Sequence, residues 1–149
     1  MSPLEVGAAV PPIPGVSSDD GPLGLFFYKV TCPTCQLAAP TMRVFEEAFP
    51  GRVIGIGQDP EDALARFSLD RGMEIRSLPD APPYPISDAY DIASVPTLYL
   101  IDDGRVLESV GAWERTGFNR VAERMAQLTG SSPVRVSTPE DGLPEFKPG

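Results

Sequence analysis

The chain has 149 residues, 42% of them hydrophobic, with 12 Lys and Arg against 21 Asp and Glu, a net charge of −9, and no histidine. A length of this order suits one domain with a real core. The acidic balance serves solubility and speaks against nucleic acid or an anionic membrane as the main partner, since both attract basic surfaces. Without imidazole there is no Ser-His-Asp triad, no Cys-His nucleophile pair and no histidine-built zinc site, and two cysteines cannot complete a four-thiolate zinc site within one chain.

Residues 1–22 carry Pro3, Pro11, Pro12, Pro14 and Pro22 among small residues and read as an irregular N-terminal arm. They contain neither a basic region nor a long apolar stretch, so no signal peptide is predicted and the expected location is cytoplasmic, with an extracytoplasmic site as the alternative if a signal is missing from the chain. No apolar run approaches the ~20 residues of a membrane span. The run "LGLFFYKV" (23–30) suits a strand covered on both faces, hence a parallel or mixed sheet with helices above and below. Next, "CPTCQLAAPTMRVFEEAF" spaces Leu37, Val44, Phe45, Ala48 and Phe49 as a helix, with Pro33 in its first turn, Pro40 inside it and Pro50-Gly51 ending it.

"RVIGIG" (52–57) reads as a strand. In "QDPEDALARFSLDRG" the chain offers Asp59 as an N-cap, Pro60 at the first helical position and Gly72 as the stop. Residues 73–87, with Pro79, Pro82, Pro83 and Pro85, read as an irregular loop, and "SDAYDIA" as one short helix. "TLYLIDDGRVLESV" is predicted to be a β-hairpin turning at Asp103-Gly104. "TGFNRVAERMAQLTG" puts Phe118, Val121, Met125 and Leu128 on one helical face and ends at Gly130. The Pro-, Ser- and Gly-rich residues 131–149 read as a solvated tail. The expected organisation is therefore an arm (1–22), one α/β domain (23–130) with a mixed sheet, and a tail (131–149).

Both cysteines lie in "TCPTCQ" (31–36), where an apolar strand meets a helix start. Unsatisfied backbone N–H groups and the helix dipole there stabilise a thiolate. Cys32 and Cys35 are one turn apart on one face, about 5–6 Å between Cβ atoms, close enough to join as a disulfide with little backbone movement. That spacing allows Cys32 to attack a target disulfide and Cys35 to resolve the mixed disulfide, or the same steps in reverse. Two other readings of the pair are a purely structural disulfide and a metal or iron–sulfur site shared between two chains.

"CPTCQLAAP" resembles the thioredoxin superfamily, which pairs a CxxC motif with a helix proline five residues after the second cysteine, here Pro40. "ASVPTLYLIDDGRVLESVGAW" is similar to that family's cis-proline loop, strand and hairpin, with Pro96 at the cis position. "IGIGQDPEDALARF" and "YPISDAYDIASVPT" resemble its TlpA/ResA-like, or redoxin, branch. The resemblance spans about Val6 to Leu128. It implies a thioredoxin-like fold, with Pro33, Thr34, Val95 and Pro96 meeting the substrate. It further implies no bound cofactor or metal, a recycling reductase or thiol as partner, and a monomer. From the residues alone the Val95-Pro96 bond would be trans, since only about 5–6% of such bonds are cis.

Departures from the family are specific. Thr31 stands where thioredoxins carry Trp, Phe26 where they carry a buried acid, and Gln58 where the ResA-like branch uses a Glu. Gln58 cannot accept the Cys35 proton, so water or another group is expected to take it. Lys29 is a candidate for holding a thiolate by its charge, against the plainer reading of a lysine reaching for water. The leading function is thiol–disulfide exchange. The alternatives are a peroxiredoxin-like thiol peroxidase, whose Pxxx[T/S]xxC pattern is absent around both cysteines, and a non-catalytic thioredoxin-fold binding module.

Overall fold

The computed structural model describes residues 4–149; Met1–Pro3, the first residues of the expected arm, lie outside the described residues. The elements run β1 (Leu23–Tyr28), α1 (Pro33–Ala48), β2 (Val53–Gly57), α2 (Glu61–Arg71), β3 (Arg76–Pro79), α3 (Pro85–Ala89), β4 (Thr97–Asp102), β5 (Arg105–Val110), β6 (Trp113–Glu114), α4 (Arg115–Thr129) and β7 (Phe146–Lys147). Five strands form one mixed sheet in the order β3-β2-β1-β4-β5. β1 lies at its centre, parallel to β2 and antiparallel to β4.

All six residues of β1 are buried, yet they still divide by strand alternation. Phe26 and Tyr28 join a core with Ala38, Met42 and Phe45 of α1 and Phe118, Val121 and Met125 of α4. Leu25 and Phe27 face the other side, against Ile13 of the N-terminal arm, Tyr90 and Tyr99. Each such side chain contributes about 1.5–3 kcal/mol when fully buried, so the sheet is held by apolar layers on both faces.

β2 alternates in the same way, but with glycine on one side. Ile54 and Ile56 pack into the second core, while Gly55 and Gly57 leave the first side open for aromatic rings. A β-carbon on Gly57 would overlap Leu64 and come within 3.0 Å of the Tyr28 ring. Tyr28 uses that space to stack on Phe67, with ring centroids 5.2 Å apart.

Four local expectations change. The segment read as an irregular loop contains the edge strand β3, paired parallel to β2 from Ile54↔Arg76 to Gly57↔Pro79. Asp59 does not cap α2; its carboxylate accepts the Val30 N–H at 2.9 Å, and Pro60 occupies the cap position without a side-chain bond. The inward stripe of α1 runs Cys35, Ala38, Met42, Phe45, with Leu37, Val44 and Ala48 only partly buried. Leu128 is 41% exposed at the edge of the α4 stripe rather than on it.

The hairpin turns at Asp103 and Gly104, both with positive φ (48° and 74°), the conformation that a two-residue turn of the favoured hand requires. The arm is tied to that turn through Val10 N–H to Gly104 O at 3.0 Å and to β5 through Val106 N–H to Ala8 O at 3.0 Å. Residues 131–149 also fold back, burying Val136 and Ser137 and adding β7 alongside β6. A solvated tail was the expectation from composition; docking overrides it because these residues find specific partners far away in the chain.

Candidate active site at the start of the first helix

β1 ends at Tyr28, and the chain turns into α1 over four residues. The Cys32 N–H donates to Lys29 O at 3.1 Å, the Gln36 side chain donates to Val30 O at 2.9 Å, and Asp59 holds Val30 N–H. These bonds fix where the helix begins. Cys32 is its N-cap, in extended conformation, and its sulfur accepts the Cys35 N–H at 3.1 Å. The first sulfur therefore takes the place of a capping oxygen, at the positive end of the helix dipole.

The two cysteines differ in exposure. Cys32 is partly exposed, whereas Cys35 is fully buried on the core-facing stripe of α1. Burial pushes the Cys35 thiol far above its ordinary value, and the hydrogen bond with Cys32 adds to that. Both thiols are free in this structure.

Across from the helix start lies the loop before β4. The Val95–Pro96 peptide bond is cis, Pro96 is buried, and the Cys32 thiol reaches Val95 O at 3.6 Å, within range for a sulfur donor. Four of the residues singled out in the sequence thus converge here: Cys32, Cys35, Val95 and Pro96. Pro33 is exposed at the first helical position beside them. Thr34 is only 2% exposed, because its hydroxyl donates to Pro148 O at 2.7 Å.

The two candidate tuning residues have other partners. The Lys29 ammonium sits 3.8 Å from the Asp59 carboxylate, 3.5 Å from Gln58 O and 5.5 Å above the Tyr84 ring. The Gln58 amide donates to Ser87 Oγ at 3.0 Å. Tyr28 is core, as its burial and stacking indicate; burial raises its phenol to about 12, opposed by the bond to Ser77. Asp59 is the polar residue that sequence reading placed wrongly, since nothing local distinguishes a helix cap from a carboxylate reaching across to a neighbouring turn.

The family now has a structural frame to fit. Residues 17–110 match the AhpC/TSA family, a span that includes the cysteine pair, Pro96 and all five strands of the main sheet. The chain belongs to that family. Among curated proteins, none matches.

Solved structures share the fold of this AhpC/TSA chain. A secreted Mycobacterium tuberculosis disulfide oxidoreductase, described as homologous to E. coli DsbE, superposes with a TM-score of 0.61 at 24% identity, covering 74% of this chain and 84% of that one. A protein from Chlorobium tepidum described as a thiol:disulfide interchange protein DsbE gives 0.69 at 18% identity, covering 83% and 97%. The thioredoxin domain of a Bacteroides vulgatus thiol-disulfide oxidoreductase gives 0.68 at 15% identity, covering 82% and 99%. At these identities the likeness establishes a thioredoxin-like α/β fold, with a mixed five-stranded sheet.

Proposed function

We propose that this AhpC/TSA chain is a thiol–disulfide oxidoreductase acting through Cys32 and Cys35. The observation that carries the reading is the asymmetry of the pair: a partly exposed sulfur capping a helix, backed by a buried thiol one turn later. In the reductive direction the Cys32 thiolate attacks one sulfur of a target disulfide. The target S–S bond breaks, its other sulfur leaves as thiolate, and a mixed disulfide forms. Cys35 then loses its proton to solvent and attacks the Cys32 sulfur, which closes the Cys32–Cys35 disulfide and releases the second target thiolate. The target gains two electrons and the pair loses two.

The reading extends to neighbouring residues. Pro33, Thr34, Val95 and Pro96 would meet the substrate, with backbone at Val95 pairing an extended segment. Lys29 and Gln58 act at one remove, by holding the turn that carries Asp59 and Val30. A reductase or thiol would restore the dithiol, and the chain would work as a monomer without a bound cofactor. For location, the secreted neighbour supports an extracytoplasmic site as the alternative to the cytoplasm. A redox titration in glutathione buffers separates these, because a reductant and an oxidant differ in potential by well over 30 mV, the span of ~1.4 kcal/mol for two electrons.

Reduction of insulin disulfides tests the proposal. Cys32→Ser should be inactive, and Cys35→Ser should accumulate a mixed disulfide with substrate. Wild-type rates in both variants would overturn it. The family match also favours a second reading, thiol peroxidase; hydrogen peroxide consumption in the same preparation, dependent on Cys32 and faster than insulin reduction, would select it.

A further inference from the structure

The segment from Asp141 to Gly149 lies across the surface where a substrate would sit. Its anchor is Arg115, only 5% exposed, whose guanidinium donates to Leu143 O at 2.6 Å and pairs with Asp141 at 3.2 Å and with Glu145. The Trp113 indole N–H donates to Pro144 O at 2.7 Å, and the Arg115 N–H to Glu145 O at 3.0 Å. The chain then runs antiparallel to β6, with Glu114 opposite Phe146 and Trp113 opposite Lys147. Two residues later it reaches the cysteine site. Pro148 O accepts from the Thr34 hydroxyl, and Gly149 packs so tightly on Val95 that a β-carbon there would overlap the Val95 carbonyl.

This contact has the features of a fitted occupant. It uses a hydroxyl from the CPTC turn, a residue without a side chain where space is shortest, and the same Val95 carbonyl that the Cys32 thiol reaches. Phe146, on the outward side, remains 56% exposed. From this placement we infer that residues 145–149 form an internal strap over the substrate edge that selects disulfides by size: small disulfides pass beside it to Cys32, whereas a polypeptide must displace it before its backbone can lie along Val95. The inference rests on the exchange reading for its substrates, but the strap's effect on access can be measured without turnover.

The test uses the Cys35→Ser background, in which reaction at Cys32 stops at the mixed disulfide. Two probes report the same released thiopyridone: 2,2′-dipyridyl disulfide, which is small, and an extended ten-residue peptide bearing one cysteine activated as its pyridyl disulfide. A chain ending at Pro144 keeps the Leu143, Asp141 and Pro144 contacts and loses the strap. Gly149→Val, which must push off Val95, releases the strap in a full-length chain and serves where the shortened one does not fold. Removing the strap should speed the peptide about tenfold or more and change the small probe by less than about twofold, since the apparent rate of a blocked reaction scales with the open fraction. Equal changes for both probes, or none, overturn the strap. A peptide-selective rise alongside a strapless chain with both cysteines that turns over neither insulin nor a small disulfide would support the strap and remove the oxidoreductase reading instead.

Discussion

Cys35 shares its helix stripe with Ala38, Met42 and Phe45, so the packing that seats α1 on the sheet also keeps this thiol protonated. Cys32 differs because it precedes the first helical turn and caps it. In the proposed exchange, the order of attack would follow from position along one helix. The burial of Cys35 has a consequence for stability. Its folded value lies above that of an unfolded thiol, ~8.5, so the unfolded chain releases this proton first as pH rises. Folding stability of the reduced protein should therefore be unaffected by Cys35 below ~8.5 and fall above it. Urea unfolding across pH 7–10 should show that decline, and Cys35→Ser should delay it to about pH 10, where the tyrosines of the unfolded chain begin to titrate, Tyr28 and Tyr90 both being raised to about 12 in the fold by burial. A decline of the same size and onset in both proteins would contradict the assignment. The CxxC spacing and the helix mouth are visible in sequence, whereas which thiol is sealed is a matter of which helix face meets the sheet.

Among the elements, β1, α1, β2, the β4–β5 hairpin and α4 follow from their residues, because each carries its own periodicity or turn signal. β3 does not. Its four residues include two with exposed side chains and end in proline, as suits an edge strand, and such a stretch resembles a loop until its neighbour is known. The neighbour, β2, shows the opposite case: its glycines look like weak strand residues but are required by the aromatic stack above them. Gly57→Ala should destabilise the fold by about 1–3 kcal/mol, the usual cost of forcing a methyl into a packed core. Chemical denaturation measures it, and a loss below ~0.5 kcal/mol would mean that Leu64 and Tyr28 yield freely. The Trp113–Phe118 edge contact, with centroids 4.7 Å apart, links β6 to α4 in the same aromatic manner.

At the scale of the molecule, both ends of the described chain return to the domain: the arm beside β5, and the last nineteen residues across α4, β6 and the cysteine site. Asp141 is part of the second closure. Desolvation works against its charge, but hydrogen bonds from Ser137, the Leu143 N–H and Arg115, with the guanidinium charge, hold its carboxyl below the ordinary range. Its contribution is present above the unfolded value, ~3.9, and is lost as pH falls through the folded one. Because Trp113 is the single tryptophan and bonds Pro144, its emission should shift to the red below about pH 4 as Asp141 protonates and the segment loosens. Asp141→Asn should move that change to higher pH or abolish it. An unchanged transition would show that the anchor lies elsewhere.

Local patterning determined the strands, the helices and a thiol pair at a helix mouth, because hydrophobic period, turn residues and cap chemistry act over a few neighbouring positions. Tertiary structure alone decided that Asp59 holds Val30, that Lys29 turns to Asp59, and that Thr34 is covered by Pro148 from 114 residues away. Those contacts depend on shape and hydrogen-bond geometry between distant segments, and no period or spacing in the chain records them.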